Sequence, residues 1–349
     1  MKKLKITLIM LLLVALLLAA CGGEEAEVVE VVEEAEVVEV VEEAEVVEVA
    51  EPFRVAVVMP SAITDLAFSQ SMYDALVVIK EERGADNFEI VYSEGMFVVD
   101  DAAAAIRDYA SQGFNLVIAH GSQYGSSLQE IAPDFLETSF AWGTTVDTFG
   151  MPNVFAYEAK SEEGGYVNGV MAAMLSESGV LGVVGPIETG DAKLYVDGFA
   201  VGAAAANADI QVNTNWIGSF SDVALASEAA QTHIGAGADV LTGTAQMVVG
   251  AIGVAEENSA LWFGTQSSQT SLAPSIVVAN QVYHWEVVLK QMIELIESGT
   301  YGGQYYEITL VNGGLKIEFN ADYALPDDVK TAAEAAIDGI VDGSITVFP

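Results

Sequence analysis

Asp65, Phe68 and Gln70 follow an apolar run, Val55–Met59, that stops at Pro60. An acid, a flat ring and an amide set this closely can wall a binding site. Similar groups recur wherever an apolar run gives way to a polar loop. Ser122, Gln123 and Tyr124 follow one such run, and Trp216 ends another. Thr244 and Gln246, then Gln266, then Trp285 follow three more. Amides and hydroxyls donate and accept hydrogen bonds, and aromatic rings cover flat faces. Few charges lie among them. The set suits a flat, neutral, polar heterocycle. It does not suit a metal, a phosphate or a strongly charged ligand. A lone Phe more often caps a core than holds a ligand, so the collective placement carries the reading.

Catalysis finds little support. The histidines are His120, His233 and His284. No Gly-x-Ser-x-Gly elbow, glycine-rich phosphate loop or metal-ligand spacing accompanies them. His233 falls in mid-helix; His120 and His284 fall in strand-end loops, where they can act as neutral donors. We read the chain as a binding protein and not an enzyme, with no cofactor and no metal. The main alternative is a receptor for a sugar or another small polar solute. The scarcity of arginine, with only Arg54, Arg83 and Arg107 in the body, counts against a sugar site. A membrane-tethered sensor is a further alternative.

These loops need a scaffold. The apolar runs alternate with helical patterns: strand Phe53–Met59, helix Tyr73–Arg83, strand Phe88–Tyr92, helix Asp100–Gln112, strand Leu116–Ala119. Two short strands, Phe140–Gly143 and Val154–Tyr157, close the first cycle, and a second begins at Glu158. There a helix over Tyr195–Ala206 and strands ending at Trp216, Thr242, Gly264 and Ala279 repeat the design. The alternation predicts an α/β fold, each lobe a parallel sheet with helices on both faces. The lobes span 53–157 and 158–279, with 280–349 shared between them. Tyr305–Val311 and Leu315–Phe319, joined by Asn312-Gly313-Gly314, read as a hairpin. Ligands of such folds sit at the carboxyl ends of the strands, so the loops face each other across a cleft that binds by hinge closure.

The charge excludes other partners. The 349 residues carry a net charge of −39, which repels phosphate backbones and makes nucleic acid an improbable ligand. Residues 1–21 combine Lys2, Lys3 and Lys5 with an apolar run, Ile6–Leu18, in a signal-peptide pattern. Its end, Leu18-Ala19-Ala20-Cys21, resembles the bacterial lipobox, and Cys21 is the only cysteine of the chain. We therefore expect a lipid anchor at Cys21. Residues 22–51 hold three nine-residue Glu/Val units, and their like charges repel. They read as a tether. The body from Pro52 on is acidic as well, with 9 Lys and Arg against 38 Asp and Glu.

The order of the motifs resembles a known family. The lipobox leader precedes VAVVMPSAITDLAFSQ, then EEGGYVNG at 162–169, GVVG at 182–185, GADVL at 237–241, FGTQSSQ at 263–269 and LAP at 272–274. Together, over Phe53 to about Phe319, they resemble the basic membrane protein family of lipoproteins. Those are substrate-binding components of ABC importers, the purine-nucleoside receptors among them. The resemblance implies a periplasmic-binding-protein-like fold of type I, a purine nucleobase or nucleoside as ligand, an ABC permease as partner and a monomer at the extracytoplasmic face of the cell membrane. It implies that Asp65, Phe68 and Gln70 match the D-x-x-F-x-Q pattern, with Phe68 stacked on the purine. Gln266 stands where the nucleoside-binding branch has an acid that grips ribose. That neutral amide, and Trp285, are more similar to the branch that binds a free base.

Overall fold

The computed structural model of the chain describes residues 51–348. The expected leader, its lipidation site Cys21 and the tether up to residue 50 lie outside the described residues. Among the described residues, no helix is long and apolar enough to cross a membrane.

Strand and helix alternate from the start: β1 (Phe53–Val58), α1 (Phe68–Arg83), β2 (Phe88–Ser93), α2 (Val99–Ser111), β3 (Leu116–His120) and α3 (Gly125–Ile131). Then come β4 (Ser139–Gly143), β5 (Val154–Ala159), α4 (Ser161–Leu175), β6 (Val180–Gly185), α5 (Gly190–Ala206) and β7 (Gln211–Trp216). The chain continues through α6 (Val223–Gly235), β8 (Val240–Gly243), α7 (Val248–Glu257), β9 (Leu261–Gln266) and β10 (Val277–Tyr283). It closes with α8 (Glu286–Glu297), β11 (Tyr305–Ile308), β12 (Leu315–Phe319) and α9 (Asp327–Val341).

Two six-stranded sheets result, ordered β11-β5-β4-β3-β1-β2 and β12-β10-β9-β8-β6-β7. All pairings are parallel except β10 with β12. Both faces of each sheet are covered, so the central strands β3, β4 and β8 are buried along their whole length and read as apolar runs. The chain passes between the two sheets after β5, after β10 and after β11.

The helices α4 and α5 pack with their backbones touching. A Cβ at Gly169 would lie 2.1 Å from the carbonyl of Phe199, and one at Gly202 2.0 Å from that of Tyr166. Glycine is required at these crossing points for steric reasons alone.

Two expectations fail here. Residues 305–311 and 315–319 do not form a hairpin: β11 extends the first sheet beside β5, and β12 runs antiparallel to β10 in the second. Each strand fills a different sheet edge. Asn312 makes the turn between them, accepting from the amides of Thr309 and Gly314 and donating to the carbonyl of Glu307. The other is β10, which continues past Ala279 to Tyr283. Asn280 stays in the ladder with its side chain satisfied inside: it accepts from the Gln269 main-chain amide (3.0 Å) and donates to Thr270 (2.9 Å).

Candidate functional site in the cleft

A pocket opens where the carboxyl ends of the two sheets meet. Pro60, Phe68, Ser122, Gln123 and Thr144 line it from the first lobe. Thr189, Asp191, Phe220, Gln246 and Gln266 line it from the second.

Phe68 is held there by the start of α1. Helix-opening N–H groups lack intrahelical partners and need an acceptor. Asp65 supplies it: its carboxylate accepts from the amides of Ala67 (2.9 Å), Ser69 (3.1 Å) and Gln70 (3.1 Å), and from the Ser61 hydroxyl. The helix therefore starts at Phe68, five residues before the apolar periodicity becomes clear at Tyr73. Behind Phe68 lies His120, stacked at 3.7 Å between centroids and 10° between planes. His120 Nε2 is 3.0 Å from the Phe68 carbonyl, which can only accept, so Nε2 carries the proton. Nδ1 then accepts from Tyr157 Oη at 2.8 Å. Burial pushes the His120 pKa down to about 3, against a small opposing effect of the Phe68 carbonyl. The imidazole is neutral at physiological pH.

Gln266 ends β9 with φ +75°, a conformation uncommon outside glycine. Its Oε1 accepts from the Ala245 amide (3.2 Å), and its Nε2 donates to Asp191 Oδ2 (3.2 Å). These two partners fix which end of the amide is which. Asp191, in the first turn of α5, also accepts from Thr144 Oγ1 (3.1 Å) and Tyr283 Oη (3.0 Å). Burial pushes the Asp191 pKa above the ordinary carboxylate range, and the donations from Gln266, Tyr283 and Thr144 oppose the shift. Among the lining residues Asp191 is the one ionisable side chain. Further bonds join the lobes beside the pocket: Ser267 Oγ donates to the Ala67 carbonyl (3.0 Å) and Gln269 Nε2 to the Leu66 carbonyl (3.4 Å).

Of the residues singled out from the sequence, Phe68, Ser122, Gln123, Gln246 and Gln266 line this pocket. The others lie elsewhere. Asp65 caps α1. Gln70 turns away, bonding the Leu66 amide and Asp74. Tyr124 is buried in the first lobe, its hydroxyl donating to the Met96 carbonyl at 2.7 Å. The Trp216 ring packs over Gly185. Thr244 is buried with no partner for its hydroxyl among the described residues. Trp285 is fully buried behind His120, with edge-on contacts to His120, Tyr157 and Tyr283, and donates to Ser71 Oγ at 3.0 Å. His284 pairs with Glu286 outside the pocket.

Asp191, Thr144, Thr189 and Phe220 escaped the sequence reading. For Asp191 a signal existed. An acid just after the strand-end loop Gly185-Pro186 marks a helix start, but the helix was read only from Tyr195, where its larger apolar residues begin. Thr144 and Phe220 sit in loops with no distinguishing pattern. Among the described residues, no cluster of three or more His, Cys, Asp or Glu could hold a metal.

Residues 53–342 match the family described as Bmp, ABC transporter substrate-binding protein PnrA-like. A purine-binding protein of Brucella abortus is 27% identical over 267 residues, covering 76% of this chain and 75% of that protein. An ABC transporter nucleoside-binding protein of Lactococcus lactis is 24% identical over 311 residues, covering 82% of this chain and 86% of that one. The crystal structure of a solute-binding protein of an ABC transporter system from Aeropyrum pernix superposes with a TM-score of 0.73 at 18% identity, covering 84% of this chain and 93% of that chain; it shares the fold.

Proposed function

Because the chain belongs to the PnrA-like ABC transporter substrate-binding family, we propose that it captures a purine, as base or nucleoside, between its lobes and delivers it to an ABC permease. The protein acts as a monomer, anchored through lipid on Cys21 at the extracytoplasmic face of the cell membrane, with the Glu/Val repeats as spacer. One observation carries the ligand reading: Phe68, backed by a neutral imidazole, sits in a pocket whose other wall carries the amides of Gln246 and Gln266. A flat ring against one wall and donor–acceptor amides on the other match a purine's face and edge. The Brucella relative is a purine-binding protein and the Lactococcus one a nucleoside-binding protein, which supports the same ligand class.

Capture closes the lobes about the segments that pass between the sheets, excluding water from the edge-reading hydrogen bonds. The ligand class is testable without choosing a ligand in advance. Native mass spectrometry of protein purified from its own cells should show an adduct of purine-base or nucleoside mass. A retained hexose instead would favour a sugar receptor.

A further inference from the structure

Asp191 reaches every part that must move or stay put when the cleft shuts. Its Oδ1 accepts from Thr144 of the first lobe (3.1 Å). Its Oδ2 accepts from Gln266 of the second lobe (3.2 Å) and from Tyr283, the last residue of β10 before the chain returns to the first lobe (3.0 Å). These three donors occupy most of the roughly four lone-pair positions of a carboxylate. Asp191 lines the pocket while most of its acceptor positions are spent on protein. Its own carbonyl, moreover, accepts from Ser161 Oγ at the start of α4, just after the chain first passes between the lobes.

The approach of Thr144 is built in. Gly190, beside Asp191, has φ +52°, and a Cβ there would lie 2.7 Å from Thr144 Oγ1. The backbone thus leaves space for the threonine hydroxyl directly over the start of α5.

We propose that Asp191 is the positioning residue of the cleft: its carboxylate orients the Gln266 amide toward the ligand and latches that amide to lobe closure through Thr144 and to the inter-lobe passage through Tyr283. Ligand affinity and closure are then one equilibrium. The hydroxyls of Thr144 and Tyr283 can rotate to accept as well as donate, but Gln266 Nε2 can only donate. An Asn at 191 that turned its Nδ2 toward Gln266 would force that amide to flip, setting Nε2 against the Ala245 N–H. With its Oδ1 kept toward Gln266 and its Nδ2 toward Thr144 the same Asn holds its partners, so Asp191→Ala, which leaves Gln266 Nε2 and Tyr283 Oη without their acceptor, is the variant that disturbs both functions, whereas Thr144→Val removes the latch alone.

The inference rests on the cleft being the ligand site, and the test separates the two. Hydrogen–deuterium exchange of the ligand-free protein is read over residues 186–193, and adenine and guanine binding is measured by calorimetry on the same samples. Thr144→Val should speed exchange in that segment and weaken purine binding about three- to tenfold, the effect of one net hydrogen bond. Thr144→Ser should restore both, which loss of packing alone would not predict. Asp191→Ala should weaken binding by more than Thr144→Val. If Thr144→Val exchanges and binds like the wild type, or if its exchange changes with affinity untouched, the latch is wrong. If wild-type protein binds neither purine, the ligand class fails, and the exchange of Thr144→Val against Thr144→Ser still decides whether Thr144 and Asp191 latch the lobes.

Discussion

The Phe68 ring and the His120 imidazole stack face to face at 3.7 Å, and the imidazole donates to the Phe68 main-chain carbonyl. One histidine thus fixes both the ring and the backbone of the residue that forms the pocket's aromatic wall. Phe68→Ala should weaken purine binding by about 1–3 kcal/mol, the usual worth of base–aromatic stacking. Calorimetry gives the value directly. An unchanged affinity would remove Phe68 from the site.

His120 should not titrate in the physiological range. With its folded pKa lowered to about 3 from an ordinary 6.5, its contribution to stability is present above about pH 6.5. It is lost as pH falls through the folded value. Its ring resonances in NMR should therefore stay fixed between pH 8 and pH 5. A midpoint near pH 6.5 assigned to His120 would contradict the buried, neutral stack.

Glu163 predicts the opposite slope. Its Oε2 accepts from the Leu310 amide at 2.7 Å. Burial, opposed by that hydrogen bond and reinforced by Glu162, pushes its pKa up to about 7. A raised carboxyl pKa favours folding at low pH, and the benefit is lost as pH rises through 7. Glu163→Gln keeps an acceptor for Leu310 without the charge. The mutant's melting temperature should exceed that of the wild type at pH 8, and the gap should close by pH 5. An equal gap at both values would show that Glu163 stays charged throughout.

Gly169→Ala tests the α4–α5 crossing. A methyl there meets the Phe199 carbonyl, which cannot move without parting two helices. We expect a loss of about 1–3 kcal/mol, as for other overpacked sites. Urea denaturation measures it. Full stability would mean that the helices can separate at little cost.

Much of the fold was legible because buried parallel strands leave apolar runs and the helices between them leave periodic ones. The boundaries that failed share a cause. α1 opens with Phe68 followed by Ser69-Gln70-Ser71 and α5 with Gly190-Asp191-Ala192, and these first turns are set by capping at Asp65 and by a close approach at Gly190. Periodicity sees neither. β10 ran on past Ala279 through Asn280, whose side chain finds its partners, Gln269 and Thr270, only in the folded chain. The site was half legible for the same reason. Residue type and loop position brought out Gln123, Gln246 and Gln266. They could not separate Phe68, held open to the pocket, from Tyr124 and Trp285, turned inward to Met96 and Ser71. Asp191 went unseen because its role depends on Thr144 and Tyr283, far from it in sequence.

The central claim is that a purine binds between Phe68 and Gln266. Calorimetric titration of the protein with adenine, guanine, adenosine, guanosine and ribose tests it most directly. The account predicts saturable one-site binding of at least one purine, and none of ribose. Flat titrations with all four purines would contradict it.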